Sequence, residues 1–322
     1  MGGEVPVRYR RLGRWGLRVS EIALGGWTTF GGSVRDPAAV REIMLAAYEA
    51  GVNYFDIADV YANGEAERVM GAVLGEMPRH TVVVASKVFF PMSDDPNDRG
   101  LSRKHVHESI DRSLERLGME YVDLYFAHRF DPDVPLEEVV WAFSDLVDRG
   151  KVLYWGTSEW PPEMVRRAVA LAREGGWHPP VVEQPEYSLV QRRVERELFP
   201  LVRELGTGLV VWSPLGQGLL TGKYDGGIPE GSRFARLPQF TRRLWTETNR
   251  RRVVAMREIA EEAGLTRAQL ALAWVLAHPE VSAAIVGATS LAQLEENLGA
   301  AEVDLPAGVV ARLDDLFAPE EE

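Results

Sequence analysis

Four side chains with reactive groups lie at the ends of short apolar stretches in this sequence. Asp56 and Tyr61 follow one such stretch, Lys87 ends a second, and His128 ends a third. An apolar stretch of this length is typical of a buried strand. A carboxylate, a phenol, an ammonium and an imidazole, each placed where a buried strand stops, indicate one site that is shared by several strands.

These groups suit the reduction of a carbonyl. A carbonyl that accepts a hydride develops negative charge on its oxygen and needs a proton there. Tyr61 can give that proton, since a free phenol has a pKa of about 10, and the Lys87 ammonium is expected to lower that pKa. Asp56 would hold the ammonium, and His128 could orient the carbonyl. General acid catalysis of this kind contributes roughly 10²–10⁴-fold.

Two other interpretations remain open on the residues alone. Each of the four side chains, taken singly, is more often a packing or ion-paired residue than a catalytic one. A metal site built from His128, Asp56 and Asp59 has weak support, because no second histidine stands at ligand spacing.

The elements that must position these groups follow a repeating pattern. From Ile22 onward, eight apolar stretches are each followed by a helical period. Strands are predicted at 22–25, 52–56, 81–87, 122–127, 152–156, 180–184, 208–212 and 282–286. Helices are predicted at 36–50, 65–74, 102–117, 135–149, 161–174, 193–205, 248–263, 267–277, 290–299 and 306–317.

Continuous apolar strands indicate a parallel sheet with both faces buried. Eight βα units favour an α/β fold of the closed (β/α)8 TIM barrel type, with function at the carboxyl ends of the strands. A doubly wound sheet is disfavoured, since no G-x-G-x-x-G follows any strand. A β-hairpin is predicted at 7–20, extra helices close the C-terminal end, and 1–322 is interpreted as a single domain. The long connection at 213–247 is predicted to be a lid.

Composition excludes several classes of protein. The net charge of −12 argues against a nucleic-acid partner, because phosphates would be repelled. The absence of cysteine excludes disulfides, thiolate catalysis and cysteine metal sites. No apolar stretch approaches the roughly 18 residues of a membrane span, and the start has no signal-like apolar region. A cytoplasmic protein without membrane insertion is therefore expected.

The chain resembles the aldo-keto reductases from about residue 9 to residue 297. The motifs that carry the resemblance stand at 55–61, 85–87, 121–128, 155–158, 183–184, 212–215, 220–224 and 287–297. Within that family the chain is most similar to the branch that contains the voltage-gated potassium channel β subunits and their bacterial homologues. Segments 99–105, 113–117 and 222–229 carry this closer match.

The resemblance implies a catalytic tetrad of Asp56, Tyr61, Lys87 and His128, with Tyr61 as proton donor, and an NADPH/NADP+ cofactor across the barrel mouth. Ser158 and Gln184 would hold the carboxamide, Trp212 would lie near the nicotinamide ring, and Gly26 and Trp27 would line the mouth. The pyrophosphate would lie along Ser213, Pro214, Leu215, Gly216 and Gln217.

Further cofactor contacts follow from the same resemblance. Lys223 and Arg233 would reach phosphates, Thr289 and Gln293 the 2′-phosphate, and Glu296 and Asn297 the adenine. The start of the helix after Gly287 offers free N–H groups and a positive dipole end to a phosphate, although a plain Thr/Ser cap is the simpler interpretation. Glu159 is included with these contacts, but the related branch tends to have Arg at that position.

The function expected is NADPH-dependent reduction of aldehydes and ketones, with a small-molecule carbonyl as substrate. The alternative is an NADP(H)-binding regulatory subunit with little turnover, as in the channel β branch, and a tetramer is implied by resemblance only. Two features favour the reductase. His128 stands where some β subunits have Asn. Because only about eight residues precede the hairpin, no extended tail that could act on a channel pore is expected.

Overall fold

Eight parallel strands close into a barrel in the computed structural model, which describes residues 7–319. An antiparallel pair, β1 and β2, precedes them, and the barrel order is β3-β4-β5-β6-β7-β8-β9-β10, with β10 pairing β3. The strands are β1 Tyr9–Arg11, β2 Arg18–Ser20, β3 Ile22–Gly25, β4 Tyr54–Asp56, β5 Val83–Val88, β6 Val122–Ala127, β7 Val152–Ser158, β8 Val182–Gln184, β9 Gly208–Trp212 and β10 Val281–Val286. The predicted (β/α)8 barrel and its N-terminal hairpin are confirmed.

Twelve α-helices flank the barrel or cover its ends within the described residues. They are α1 Pro37–Glu49, α2 Glu65–Leu74, α3 Arg103–Leu117, α4 Leu136–Asp148, α5 Pro162–Gly175, α6 Val194–Leu205, α7 Arg233–Arg236, α8 Pro238–Leu244, α9 Glu247–Ala263, α10 Arg267–Leu276, α11 Leu291–Leu298 and α12 Ala307–Leu316. Side-chain caps begin several of them: Asp36 accepts from the Ala38 N–H, and Ser102 accepts from the His105 N–H. The last of them, α12, is one of the extra C-terminal helices that the sequence predicted.

Alternation along each strand divides the core into two layers. In β6, Leu124 and Phe126 belong to the cluster inside the barrel, whereas Tyr125 and Ala127 belong to the cluster between strands and helices. This alternation follows from the two-residue period of a strand. Both faces of β6 are buried, which explains why the sequence shows a continuous apolar stretch there rather than an alternating one.

The hairpin closes the amino end of the barrel. Leu12 and Val19 pack in the same cluster as the barrel interior, and the Arg14 N–H donates to the Gly206 carbonyl at 2.9 Å. Gly13 permits this approach, because it has φ +58° and an added Cβ would lie 2.4 Å from the Gly206 oxygen. The opposite end, where the carboxyl ends of the strands lie, is left open for a site.

The connection after β9 differs from the prediction of a long loop. Segment 213–246, which we call the lid segment, contains a 3₁₀ helix at Gly216–Thr221 and the short helices α7 and α8. None of the helices within residues 7–319 is long and apolar enough to cross a membrane. The start of the chain, 1–6, where no signal-like apolar region was predicted, and the acidic end 320–322 lie outside the described residues.

Candidate active site

Lys87 lies at the centre of the predicted tetrad. Its ammonium donates to the Asp56 carboxylate at 2.6 Å, to the Ile57 carbonyl at 2.7 Å and to the Tyr61 hydroxyl at 3.1 Å. The Lys87 side chain is fully buried. All three ammonium hydrogens therefore have acceptors, which fixes the position of the amine and favours its charged form.

Asp56 connects the tetrad to a neighbouring strand. One carboxylate oxygen accepts from Lys87, and the other accepts from the Gln184 side-chain amide at 2.9 Å. The Ser158 hydroxyl in turn donates to the Gln184 carbonyl at 2.9 Å. The ends of β4, β5, β7 and β8 are thus joined by one set of hydrogen bonds. Ser158 and Gln184, predicted as cofactor contacts, lie beside the tetrad.

The turn that carries Tyr61 is strained. Ala62, Asn63 and Gly64 follow it with φ of 48°, 55° and 86°, all in the left-handed region. A non-glycine residue there costs of order 1–3 kcal/mol, and such residues concentrate at functional sites. The six non-glycine residues with positive φ in the described chain all lie in loops at the carboxyl end of the barrel: Thr28, Ala62, Asn63, Glu159, Ser213 and Gln217.

Burial and charge act in opposite directions on two of the tetrad groups. Burial opposes the ammonium of Lys87, but Asp56 and Tyr61 outweigh it and raise the pKa of Lys87. Burial also raises the pKa of Tyr61, and Lys87 offsets only part of that rise. Lys87 does lower the pKa of Tyr61, as expected, but desolvation of the phenolate is the larger effect, so the net pKa is raised. The Tyr61 phenol is therefore held protonated.

His128 is kept neutral beside Tyr61. Burial, together with the charges of Lys87 and Arg129, holds the pKa of His128 well below its usual value. The imidazole meets the Tyr61 ring edge-on with centroids 5.9 Å apart, and it meets Phe90 at 5.0 Å. Its Nδ1 is buried without a hydrogen-bond partner among residues 7–319. A neutral imidazole can donate one N–H to a ligand oxygen.

A cavity of about 660 Å³ opens above the tetrad at the carboxyl end of the barrel. This volume is within the range of small-molecule and cofactor sites. Lys87 lies behind the wall of the cavity. The predicted site residues that line it are Trp27, Asp56, Tyr61, His128, Ser158, Gln184, Trp212, Ser213, Pro214, Leu215, Gln217, Lys223, Arg233, Gly287, Thr289, Gln293, Glu296 and Asn297.

Three predicted cofactor residues do not line this cavity. Gly26 packs against α2, where an added Cβ would lie 2.6 Å from the Met70 sulfur. An added Cβ at Gly216 would lie 2.8 Å from a Val190 methyl. Close packing accounts for both glycines.

Glu159, the third, points away from the cavity and anchors its wall. Its carboxylate accepts from the Trp212 indole at 3.0 Å and from the Glu186 N–H at 2.6 Å, and it pairs with Arg193. The Trp212 ring is thereby fixed by a residue behind it. Trp212 also meets Trp27 edge-on with centroids 6.2 Å apart.

Three cations face the cavity from the lid segment. Lys223, Arg233 and Arg236 all line it, and within residues 7–319 no carboxylate forms an ion pair with any of them. Burial, then the charges of Arg233 and Arg236, lower the pKa of Lys223. An added Cβ at Gly218 would lie 2.5 Å from the Lys223 ammonium, so glycine leaves room for that group. Clustered cations without counter-charges in an acidic protein fit a polyanionic ligand.

Sequence reasoning missed several lining residues. They are Thr29, Ser33, Thr221, Ser232, Arg236 and Phe240. A signal existed for one of them, because Arg236 follows Arg233 by three residues and would share its face on a helix. The others have no signal: Thr221, Ser232 and Phe240 reach the cavity only through the fold of the lid segment, and Thr29 and Ser33 reach it through the loop between β3 and α1.

Asp59, considered for a metal site, belongs to a different network. It accepts from the Ser109 hydroxyl at 3.0 Å and from the Val60 N–H at 2.6 Å. Burial raises the pKa of Asp59 to about 7. Its carboxylate is thus engaged with groups other than Asp56 and His128.

Residues 21–318 match the aldo/keto reductase family. The chain belongs to that family. Its members are oxidoreductases that generally bind NAD(P)H, and the chain is an oxidoreductase in this general sense. The resemblance that the motifs predicted is confirmed.

Three similar proteins are named as voltage-gated potassium channel β subunits. A probable voltage-gated potassium channel subunit beta of Oryza sativa subsp. japonica is 44% identical over 303 residues, with 92% of each chain covered. A putative voltage-gated potassium channel subunit beta of Schizosaccharomyces pombe is 43% identical over 321 residues, covering 97% of this chain and 93% of the relative. A probable subunit of the same name from Arabidopsis thaliana is 43% identical, with 92% of each chain covered.

Proposed function

We propose that this protein reduces aldehydes and ketones to alcohols with NADPH. The observation that carries the proposal is the Tyr61 hydroxyl, 3.1 Å from the buried Lys87 ammonium and facing a cavity of cofactor size. NADPH, when bound, supplies the hydride. The residues of the chain supply the proton and hold the carbonyl.

The proton comes from Tyr61. As negative charge develops on the carbonyl oxygen, the phenol donates its proton there, and the Lys87 ammonium stabilises the phenolate that remains. Asp56 keeps that ammonium charged and in place through its 2.6 Å contact. Neutral His128 donates an N–H to the carbonyl oxygen and orients it. The raised pKa of Tyr61 keeps the donor protonated before reaction.

The lining residues fit a phosphate-bearing dinucleotide. Lys223, Arg233 and Arg236 supply positive charge that lacks counter-ions within the described chain. The start of α11, capped by Ser290, offers N–H groups and a positive dipole end. Ser158 and Gln184 would hold the carboxamide, and Trp212 the ring. The remaining contacts proposed are Trp27, Asp56, Ser213, Pro214, Leu215, Gln217, Gly287, Thr289, Gln293, Glu296 and Asn297.

A second candidate is a regulatory subunit that binds NADP(H) with little turnover. The printed names of the three relatives, all channel β subunits, favour it. The complete tetrad favours the reductase, since a binding subunit has no need of a fixed proton donor. The two candidates agree on the cofactor and differ on turnover.

Turnover and binding measured together separate them. The assay follows NADPH oxidation with an activated aromatic aldehyde, beside a fluorescence titration of NADPH, for wild type and Tyr61→Phe. Tyr9→Phe is the matched control, because Tyr9 bonds the Gly51 carbonyl on the surface, away from the cavity. The reductase predicts turnover that falls at least about 10²-fold in Tyr61→Phe while binding is kept. Tight binding with no wild-type turnover on a broad carbonyl panel would favour the regulatory subunit.

A further inference from the structure

Arg129 is a cation in the cavity wall that the tetrad and the cofactor contacts leave unexplained. It lines the cavity together with Tyr61, His128 and Phe90. Its guanidinium donates to the His128 carbonyl at 2.5 Å and lies 5.4 Å from the centre of the Phe90 ring. The side chain is therefore fixed by two contacts, and its remaining donors are available to a ligand.

No carboxylate within residues 7–319 forms an ion pair with Arg129. Asp131, two residues away, instead accepts from the Leu101 N–H at 2.8 Å and the Asp133 N–H at 3.1 Å. The described cavity lining holds two acids, Asp56 and Glu296. Asp56 is committed to Lys87 and Gln184, and Glu296 lies on α11.

Arg129 is also separate from the cations of the lid segment. Arg129 contacts the His128 carbonyl and the Phe90 ring, whereas Arg233 of the lid segment donates to Gln217 at 3.2 Å and lies 5.7 Å from the centre of the Trp27 ring. The cavity thus has two cationic parts, one at the lid and one at the tetrad. The lid group is sufficient for the phosphates of a dinucleotide, so the guanidinium at the tetrad is left for the substrate.

We propose that Arg129 binds a carboxylate of the substrate, so that the protein prefers carbonyl compounds that carry a carboxylate. The inference rests on the proposed reductase function and names its substrate class. A guanidinium suits a carboxylate because its planar donors match both oxygens. The rings of Phe90, Tyr61 and His128, which meet edge-on, would flank the carbon skeleton of the substrate between its carboxylate and its carbonyl.

The test compares matched aldehydes whose ring carries either a carboxylate or its uncharged methyl ester. The substrates are meta- and para-carboxybenzaldehyde, each beside its methyl ester, with NADPH and the full chain. The readout is the ratio of kcat/KM for the acid to kcat/KM for the ester. We expect a ratio of about tenfold or more for at least one acid–ester pair in wild type, since a charge-assisted hydrogen bond has this magnitude.

Variants assign the preference to one side chain. Arg129→Met should bring the acid-to-ester ratio to about one. Arg129→Lys should keep part of the preference for the acid, because the positive charge remains but the paired planar donors of the guanidinium are lost. Arg196→Met is the control, since Arg196 is 87% exposed on α6 and, among residues 7–319, pairs only with Glu197. Its ratio should equal that of wild type.

The outcomes distinguish this inference from the proposed function. A ratio near or below one for both acid–ester pairs in wild type, or a preference that survives in Arg129→Met, would overturn the inference and leave the reductase intact. Failure to reduce any of the four aldehydes would count against the reductase itself. If Arg129→Met does not fold, inhibition of wild type decides: para-methylbenzoate should compete about tenfold better than neutral para-methylbenzamide, and equal inhibition would overturn the inference.

Discussion

At Tyr61, burial and a neighbouring charge act on one phenol in opposite directions, and burial is the larger effect. The residue types at 56, 61, 87 and 128 predicted one shared site, and the structure brings these four side chains together. The residue types were not sufficient to predict the net pKa of Tyr61, because desolvation depends on what the fold packs around the ring. Glu159 gives a second example. Its sequence position suggested a cofactor contact, but its carboxylate points to Trp212 and Arg193.

Glu183 is a buried acid whose ionisation should limit stability. Burial raises the pKa of Glu183 from its ordinary value of 4.5 to about 8, despite the hydrogen bonds that its carboxylate accepts from the Thr157 hydroxyl and the Trp160 N–H. Below pH 4.5 both the folded and the unfolded states carry the proton. Between about 4.5 and about 8 only the unfolded state has lost it, so the free energy of unfolding falls as pH rises through this window.

Glu183→Gln should remove this pH-dependent cost. The amide keeps the shape and an acceptor for Trp160 but cannot ionise. We expect its thermal midpoint to exceed that of wild type by an amount that grows from pH 4.5 to pH 8, equivalent to more than about 1 kcal/mol at the upper end. The exposed control Glu197→Gln should show no such growth. A difference between Glu183→Gln and wild type that stays constant with pH would contradict the account.

At the scale of elements, the strands and long helices were predictable and the lid segment was not. The helical period of the apolar residues predicted the long helices, and the structure adds caps such as Asp36 and Ser102. Helices α7 and α8 have four and seven residues, too short to show a period or to be stable alone. They exist through tertiary contacts, among them the stacked pair Tyr224–Phe234 at 4.3 Å.

Three ion pairs join the lid segment to the rest of the described chain, and the one on α8 can be tested. Arg243 on α8 donates to Glu186 at 2.6 Å, and Phe240 on the same helix meets Trp27 at 5.6 Å. Because the lid segment carries the three cations that we propose as phosphate contacts, its opening should limit cofactor release. Arg243→Gln should speed release of bound NADPH by about fivefold, as expected for one partly exposed pair.

Stopped-flow displacement of bound NADPH measures this rate. Arg242→Gln is the matched control, since Arg242 is the exposed neighbour on α8 and forms no ion pair within residues 7–319. Release from the control should proceed at the wild-type rate. Unchanged release from Arg243→Gln would show that this ion pair does not hold the lid.

At the scale of the whole molecule, the closed barrel indicates one cooperative unit. Strands β3 to β10 each pair with two neighbours, and the hairpin, whose Arg10 donates to the Leu276 and Val281 carbonyls, ties the start of the described chain to its C-terminal part. We propose that the chain unfolds as a single domain. Far-UV circular dichroism and tryptophan fluorescence should give coincident thermal transitions, which NADPH shifts upward together. Two separated transitions would contradict a single domain.

The central claim is that Tyr61 gives the proton in a carbonyl reduction. A single-turnover experiment tests it most directly, because slow opening of the lid cannot mask the chemical step. NADPH is bound stoichiometrically, an activated aromatic aldehyde is added, and oxidation of the bound cofactor is followed in wild type and Tyr61→Phe. We predict oxidation in wild type and a rate at least about 10²-fold lower in Tyr61→Phe. Equal rates in the two proteins, or no oxidation in wild type despite full binding, would contradict the claim.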